Sequence, residues 1–176
     1  MASPSDRDLI LRARRGEMEA FGELVLRFQN RVFNVCYRMT NERRQAEDLT
    51  QETFLRIHSR LDTFNLERPF GPWIGRVAAN VCLNYLESVK LKPSELDEER
   101  DADENPSPET AYENKEHSNR IRIALASLPA RYRLVIELRH FQEMSYSEIA
   151  ANLGIQLSDV KSDLFRGRKM LAEKLK

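Results

Sequence analysis

Glycine and cysteine are scarce, with six and two residues among 176, aromatic side chains make up only 8 %, and β-branched runs are sparse. A sheet protein with many tight turns is thereby disfavoured, and Leu, Ala, Arg and Glu dominate instead, which predicts an all-α chain. No apolar run approaches the roughly 18 residues of a membrane span, and "MASPSDRDL" lacks the basic, apolar, small-residue order of a secretory signal, so a cytoplasmic protein without membrane insertion is expected. Cys36 and Cys82 stand singly on apolar helical faces, outside any CxxC, and read as buried small hydrophobes rather than as a disulfide or a metal site. His58, His117 and His140 show no HExxH or paired spacing, and neither a GxxxxGK[ST] loop nor a nucleophile motif is present. The expectation is a non-enzyme with no catalytic residue, no metal and no cofactor.

What is abundant is charge, and it is unevenly placed. The formal net charge is zero, yet residues 1–92 carry +3, residues 93–113 carry −8 and residues 114–176 carry +5. A polyanion responds to the local field, so two mildly basic ends around an acidic middle remain compatible with nucleic acid.

Helical periodicity appears on both sides of the acidic stretch. Phe21, Leu24, Val25, Phe28, Val32, Val35, Cys36 and Met39 mark one long amphipathic helix. A short helix near Asp8–Arg15 should stop at Gly16, Asn41 is placed to cap a third helix reaching about Leu61, and a fourth starts with Pro69 or Pro72 in its first turn. "KPSELDEERDADENPSPE" has three prolines, a surplus of acids and no apolar period, the composition of a flexible linker. Beyond it, Ser107 and Pro108 can open a helix whose core face is Ile121, Ala124, Leu125 and Leu128, and Pro129 opens the next, with Leu134, Val135 and Leu138 inward. The predicted architecture is two small four-helix domains: residues 1–92, an acidic linker over 93–107, and residues 108–176.

The most specific local signal is "SYSE", a capping box in which the Ser145 hydroxyl and Glu148 carboxylate each satisfy an exposed N–H. Ala150, Gly154 and Val160 follow at helix-turn-helix spacing: a small residue for close approach, a residue free to take positive φ, and an apolar contact between the helices. "VKSDLFRGRK" then places Lys161, Arg166 and Arg168 on the second helix, where they can meet DNA phosphates.

Taken in order, "AEDLTQETFLR", "RPFGPWIGRVAAN" and "LPARYRLVIELRHFQEMSYSEIAANLGI" resemble a bacterial RNA polymerase sigma factor of the extracytoplasmic-function (ECF) type, over nearly the whole chain. The resemblance implies a promoter-melting domain, a minus-35-reading domain, and a function in promoter recognition and opening. The partners it implies are core polymerase, through the β′ clamp helices and the β flap, promoter DNA, and an inhibitory anti-sigma factor. Matching positions put Asp48, Gln51 and Glu52 at the polymerase, with Leu49, Phe54 and Ile57 in or beside the core. Asn65, Arg68, Trp73, Arg76, Asn80 and Asn84 fall at the minus-ten element, although Phe64, Phe70 and Trp73 also suit a bundle core. Tyr146, Ser147, Ser158, Lys161, Ser162, Asp163, Arg166 and Arg168 fall at the minus-35 element.

Two departures from the family pattern stand out. "LNYLESVKLK" is poorer in cations than usual, which lowers the expected salt dependence of this half. Ser158, Asp159 and Asp163 replace a Gly-Thr pair and a basic residue. Asp159 suits a first helical turn, where the macrodipole favours a carboxylate by about 0.3 to 1 kcal/mol. Asp163 is either an intrahelical partner for Arg166 or Arg168, or a reader of a cytosine amino group worth about 1 to 3 kcal/mol of discrimination. The competing reading of the whole chain is a two-domain helix-turn-helix regulator that acts without docking on polymerase.

Overall fold

Ser5 accepts from the Asp8 N–H while the Asp8 carboxylate accepts from the Ser5 N–H, a capping box that starts α1 (Asp6–Arg14) two residues earlier than the apolar pattern alone predicts. The computed structural model describes residues 2–91 and 112–176; the acidic linker 93–107, its carboxylates and the expected start at Ser107 and Pro108 lie outside them. After α1, Gly16 turns the chain at φ +90 into α2 (Met18–Thr40), followed by α3 (Arg43–Arg60), a 3-10 turn (Leu61–Thr63) and α4 (Phe70–Leu91). The second unit holds α5 (Tyr112–Ala126), α6 (Ala130–Ile136) running on into a π-helical turn (Glu137–Phe141), α7 (Tyr146–Leu153) and α8 (Leu157–Lys174). Among the described residues every element is helical, and no helix is long and apolar enough to cross a membrane.

Asn41 does not cap α3. It closes α2 instead, in the left-handed conformation at φ 57, and Glu42 precedes α3 without a side-chain cap bond. The choice is physical: Asn tolerates positive φ better than most side chains, and a helix of 23 residues ending in a sharp corner needs that conformation at its end.

The expected apolar faces meet in the first unit. Leu24, Val32, Val35, Cys36 and Met39 of α2 pack on Leu49, Phe54 and Ile57 of α3 and on Ile74, Ala78 and Cys82 of α4, all buried. Cys36 and Cys82 are free thiols inside this core, as small hydrophobes. In the second unit Leu134, Val135 and Leu138 pack against Ile149, Val160 and Leu164. Gly167 lets α8 approach α6: a Cβ there would lie 3.0 Å from Ile136 Cδ1 and 3.3 Å from Tyr132 Cβ. Leu171 and Leu175, at the end of α8, are half-buried.

The two units also pack on each other, which no periodicity foretold. Arg38 of α2 forms a two-pronged ion pair with Glu137, at 2.8 and 2.9 Å, and stacks on Phe141 with its guanidinium carbon 4.1 Å from the ring centre. Glu137 is only 2 % exposed, and Gln142 also donates to it at 3.0 Å, so the buried charge is paired and its lone pairs are used. Gln142 in turn accepts from Arg31 at 3.2 Å. Arg133, buried, donates to the carbonyls of Ala126 and Leu128 at the end of α5 and crosses over to the Met39 carbonyl near the end of α2.

Candidate polymerase and nucleic-acid interfaces

On α3, Asp48, Gln51 and Glu52 are all exposed, while Leu49, Thr53, Phe54 and Ile57 point into the bundle. The Thr53 hydroxyl, buried in the bundle, donates back to the Leu49 carbonyl at 2.7 Å. Glu52 is steadied by Arg56 one turn later at 3.0 Å, an exposed i,i+4 pair worth about 0.3 to 0.5 kcal/mol. Leu55, at 72 % exposure, extends the same face by one further turn. An acidic and amide patch with an apolar neighbour suits a protein partner with a basic rim and an apolar pocket. Sequence reading passed over Leu55, although its spacing of seven, four and three from the other three residues was the available signal.

The loop after α3 is built around aromatic rings. Phe64 packs edge-on against Phe70 at 5.1 Å and at 5.0 Å from Trp73, and Phe28 closes on Phe70 at 5.2 Å. Phe64 and Phe70 are therefore core, and Trp73, half-buried, keeps part of its ring at the surface. From below, the Arg14 side chain donates to the Leu61 and Phe64 carbonyls and pins the loop. Its tip is an Asx turn in which the Asn65 side chain accepts from the Glu67 N–H at 2.9 Å, followed by exposed Arg68.

Asn65, Arg68, Trp73 and Arg76 line one cleft of about 610 Å³. Arg76 keeps its Nε buried with no acceptor among the described residues. Asn80 lies one turn further along α4, its side chain against Asn152, and Asn84 is exposed beyond it, outside the cleft lining. Tyr85 is half-buried: burial raises the pKa of its hydroxyl, and the charges of Glu42 and Asp48 push the same way.

In the second unit the capping box of α7 is present as the sequence predicts, with Glu148 N–H to Ser145 Oγ at 3.1 Å and Ser145 N–H to Glu148 at 2.8 Å. That hydrogen bond, more than the nearby arginines, holds the Glu148 carboxyl below its ordinary pKa. Gly154 takes φ 64 and turns the chain into α8. Ser158, Lys161, Ser162, Arg166 and Arg168 are exposed on α8, Ser147 is exposed on α7, and Tyr146 is half-buried beneath the Arg139 guanidinium.

Several of these cations are held in place. Arg168 donates to His140 Nε2 at 3.2 Å, and burial together with Arg168 and Arg139 lowers the His140 pKa, which keeps the imidazole a neutral acceptor. Arg166 is bonded to the Tyr132 hydroxyl, which raises its pKa further. Phe165, 69 % exposed, sits beside Tyr146, Lys161, Arg168 and Lys169 around a shallow depression of about 410 Å³. Phe165 and Lys169 were absent from the sequence-based set, although they continue the i, i+4 row from Lys161.

Asp163 has a hydrogen-bond partner that neither sequence expectation named. It is buried at 5 % exposure, and its partner is Arg131 on α6 at 2.5 Å rather than Arg166 or Arg168 on its own helix. The carboxylate ties α8 to α6, and its charge also acts on Arg166 three residues further along α8.

Comparison with known proteins places these faces in one family. The Sigma-70 region 2 model matches residues 24–90 and the Sigma-70 region 4 model matches residues 118–171. The chain is 32 % identical to the ECF RNA polymerase sigma factor SigW of Bacillus subtilis (strain 168), over 95 % of each protein. It is 29 % identical to the ECF RNA polymerase sigma-E factor of Escherichia coli (strain K12), over 97 % of this chain and 94 % of that protein. Among solved structures, CnrH in complex with the cytosolic domain of CnrY superposes with a TM-score of 0.63 at 25 % identity, covering 97 % of this chain and 96 % of that one. With both regions matched in order and a curated relative aligned from end to end, this chain belongs to the ECF RNA polymerase sigma factors.

Proposed function

We propose that this sigma factor docks on core polymerase through Asp48, Gln51, Glu52 and Leu55 of α3, reads the minus-35 duplex with α8, and captures unstacked minus-ten bases with Asn65, Arg68, Trp73, Arg76, Asn80 and Asn84. The single observation that supports it best is the division of α8 into two faces. Val160 and Leu164 are buried while Lys161, Ser162, Arg166 and Arg168 stand in solvent, two of them already oriented by His140 and Tyr132. Such a helix enters a major groove with its cations near phosphates and its short polar side chain near base edges.

The work done is binding rather than chemistry. Phosphodiester formation belongs to the polymerase, and the sigma factor shifts the duplex toward the open form by offering aromatic faces, amides and a desolvated arginine that only an extruded base can use. The same resemblance implies control by an anti-sigma protein that engages one or both units.

The test is transcription with core polymerase followed by sequencing of the transcript starts. Starts at a shared pair of upstream elements are expected, and Glu52→Lys should weaken polymerase binding at least tenfold, because a cation then faces the basic partner surface. Unchanged polymerase binding by Glu52→Lys would remove the α3 assignment.

A further inference from the structure

Two cysteines stand among 176 residues, one on α2 and one on α4, and the fold brings them face to face. The Cys82 S–H donates to the Cys36 sulfur, and both residues are fully buried between the helices. A core side chain touches about 6 to 12 others, so a given pair in a chain of this length meets by chance about once in twenty. The surroundings of the pair are not purely apolar. The hydroxyls of Thr50 and Thr53 reach Cys36 from α3, but each has a single proton and gives it to a backbone carbonyl, Thr50 to Ala46 at 2.6 Å and Thr53 to Leu49 at 2.7 Å. Cys82 is thus the donor that matters to Cys36. Its hydrogen bond holds the Cys36 thiol below the ordinary pKa, while the same bond, together with burial, pushes the Cys82 thiol well up. One sulfur is the readier nucleophile and the other stays protonated, the division that an attacking and a resolving cysteine need.

We propose that Cys36 and Cys82 form an oxidation site: a small peroxide converts the two thiols into a disulfide that staples α2 to α4 and hardens the first unit against unfolding while leaving its function intact. The Cys36 sulfur attacks one peroxide oxygen, the O–O bond breaks, and the other oxygen leaves as water with the thiol proton. The Cys82 sulfur then attacks the resulting sulfenic sulfur, the S–O bond breaks, and a second water leaves with the Cys82 proton. Two thiols lose two electrons and one peroxide becomes two waters.

The place of the bond decides its consequence. Cys82 is buried on α4 while Asn84 is exposed, and Asp48, Gln51 and Glu52 stand in solvent on α3, so the cross-link forms inside the bundle and touches none of the exposed faces. The loop it closes runs from residue 36 to residue 82 and contains the whole of α3, long enough for a cross-link to restrict the unfolded chain strongly. Because both sulfurs are shut off from solvent, peroxide reaches them only when the helices part locally, and the bond then prevents that opening from recurring.

The test uses the full wild-type chain, treated with hydrogen peroxide, freed of it, then denatured and alkylated with iodoacetamide. Intact mass should show an unalkylated monomer short of two hydrogens, peptide mapping should link Cys36 to Cys82, and dithiothreitol should restore two alkylable thiols. Urea titration followed at Trp73, the single tryptophan, should give a higher midpoint for the oxidised chain than for the reduced one. With core polymerase, the oxidised chain should support transcription as the reduced chain does. Two alkylable thiols after peroxide, sulfinic or sulfonic acid in place of the bond, a link between chains, a midpoint that does not rise, or lost transcription would each overturn the proposal. The order of attack is read separately: Cys82→Ala should leave a Cys36 sulfenic acid that dimedone traps, and stronger trapping at Cys82 in Cys36→Ala would reverse the two roles and contradict the assignment of Cys36 as the attacking sulfur.

Discussion

The two proposed nucleic-acid faces of this sigma factor are built differently. On α8, cations sit in solvent and are oriented by neighbours of their own unit, so the face is complete as folded. At the minus-ten cleft, the loop is pinned by Arg14 and backed by aromatic rings, yet its opposite wall comes from the other unit and includes two carboxylates. Duplex recognition needs only a preformed face, whereas capture of an extruded base needs a pocket that attracts a polyanion strongly.

The comparison breaks most readily at the Arg38–Glu137 pair. Arg38→Ala leaves Glu137 charged and buried, a loss of about 3 to 5 kcal/mol if the units stay packed, or the smaller docking free energy if they separate and Glu137 regains water. Denaturant titration followed at Trp73 should show a clear drop in midpoint; an unchanged midpoint would mean that the pair carries no docking energy.

Next in size is Asp163→Ala. The Arg131 guanidinium is more than half exposed and regains water when the carboxylate is lost, so a cost of about 1 kcal/mol is expected. A minus-35 library selected with the variant should return the wild-type sequence. A changed preference would restore a base-reading role and contradict the buried geometry.

The smallest effect concerns pH. The Glu148 carboxyl is held below its ordinary pKa by the Ser145 N–H, so its contribution to stability is present at neutral pH and is lost as pH falls through that depressed value. Glu148→Gln should flatten the acid limb of the stability curve of the second unit. It should also loosen the cleft, because Arg68 loses its partner across it; an unaltered acid limb would show that the capping carboxylate is not coupled to folding.

Much of this was legible in sequence because it is local. The Ser145–Glu148 box, the positive φ of Gly154 and the apolar faces of α2 and α8 all arise within a few residues, where periodicity and capping rules apply. Asn41 was misread because two local roles competed and the end of α2 won over the start of α3. Asp163 was misread because its partner lies 32 residues away on α6. The docking of the units was invisible for the same reason: Arg38 and Glu137 are 99 residues apart, and neither stands out in an amphipathic pattern. Phe165 and Leu55 were hidden differently, since an apolar residue in a helix is read as core until the fold shows it in solvent.

The account turns on whether the free chain holds its units together. Spin labels on Ser59 and Glu173, both exposed, with Cys36 and Cys82 protected by burial, give the separation directly by pulsed dipolar spectroscopy. A short, narrow distance in the free protein is the predicted result; a long, broad distribution in the free chain contradicts it.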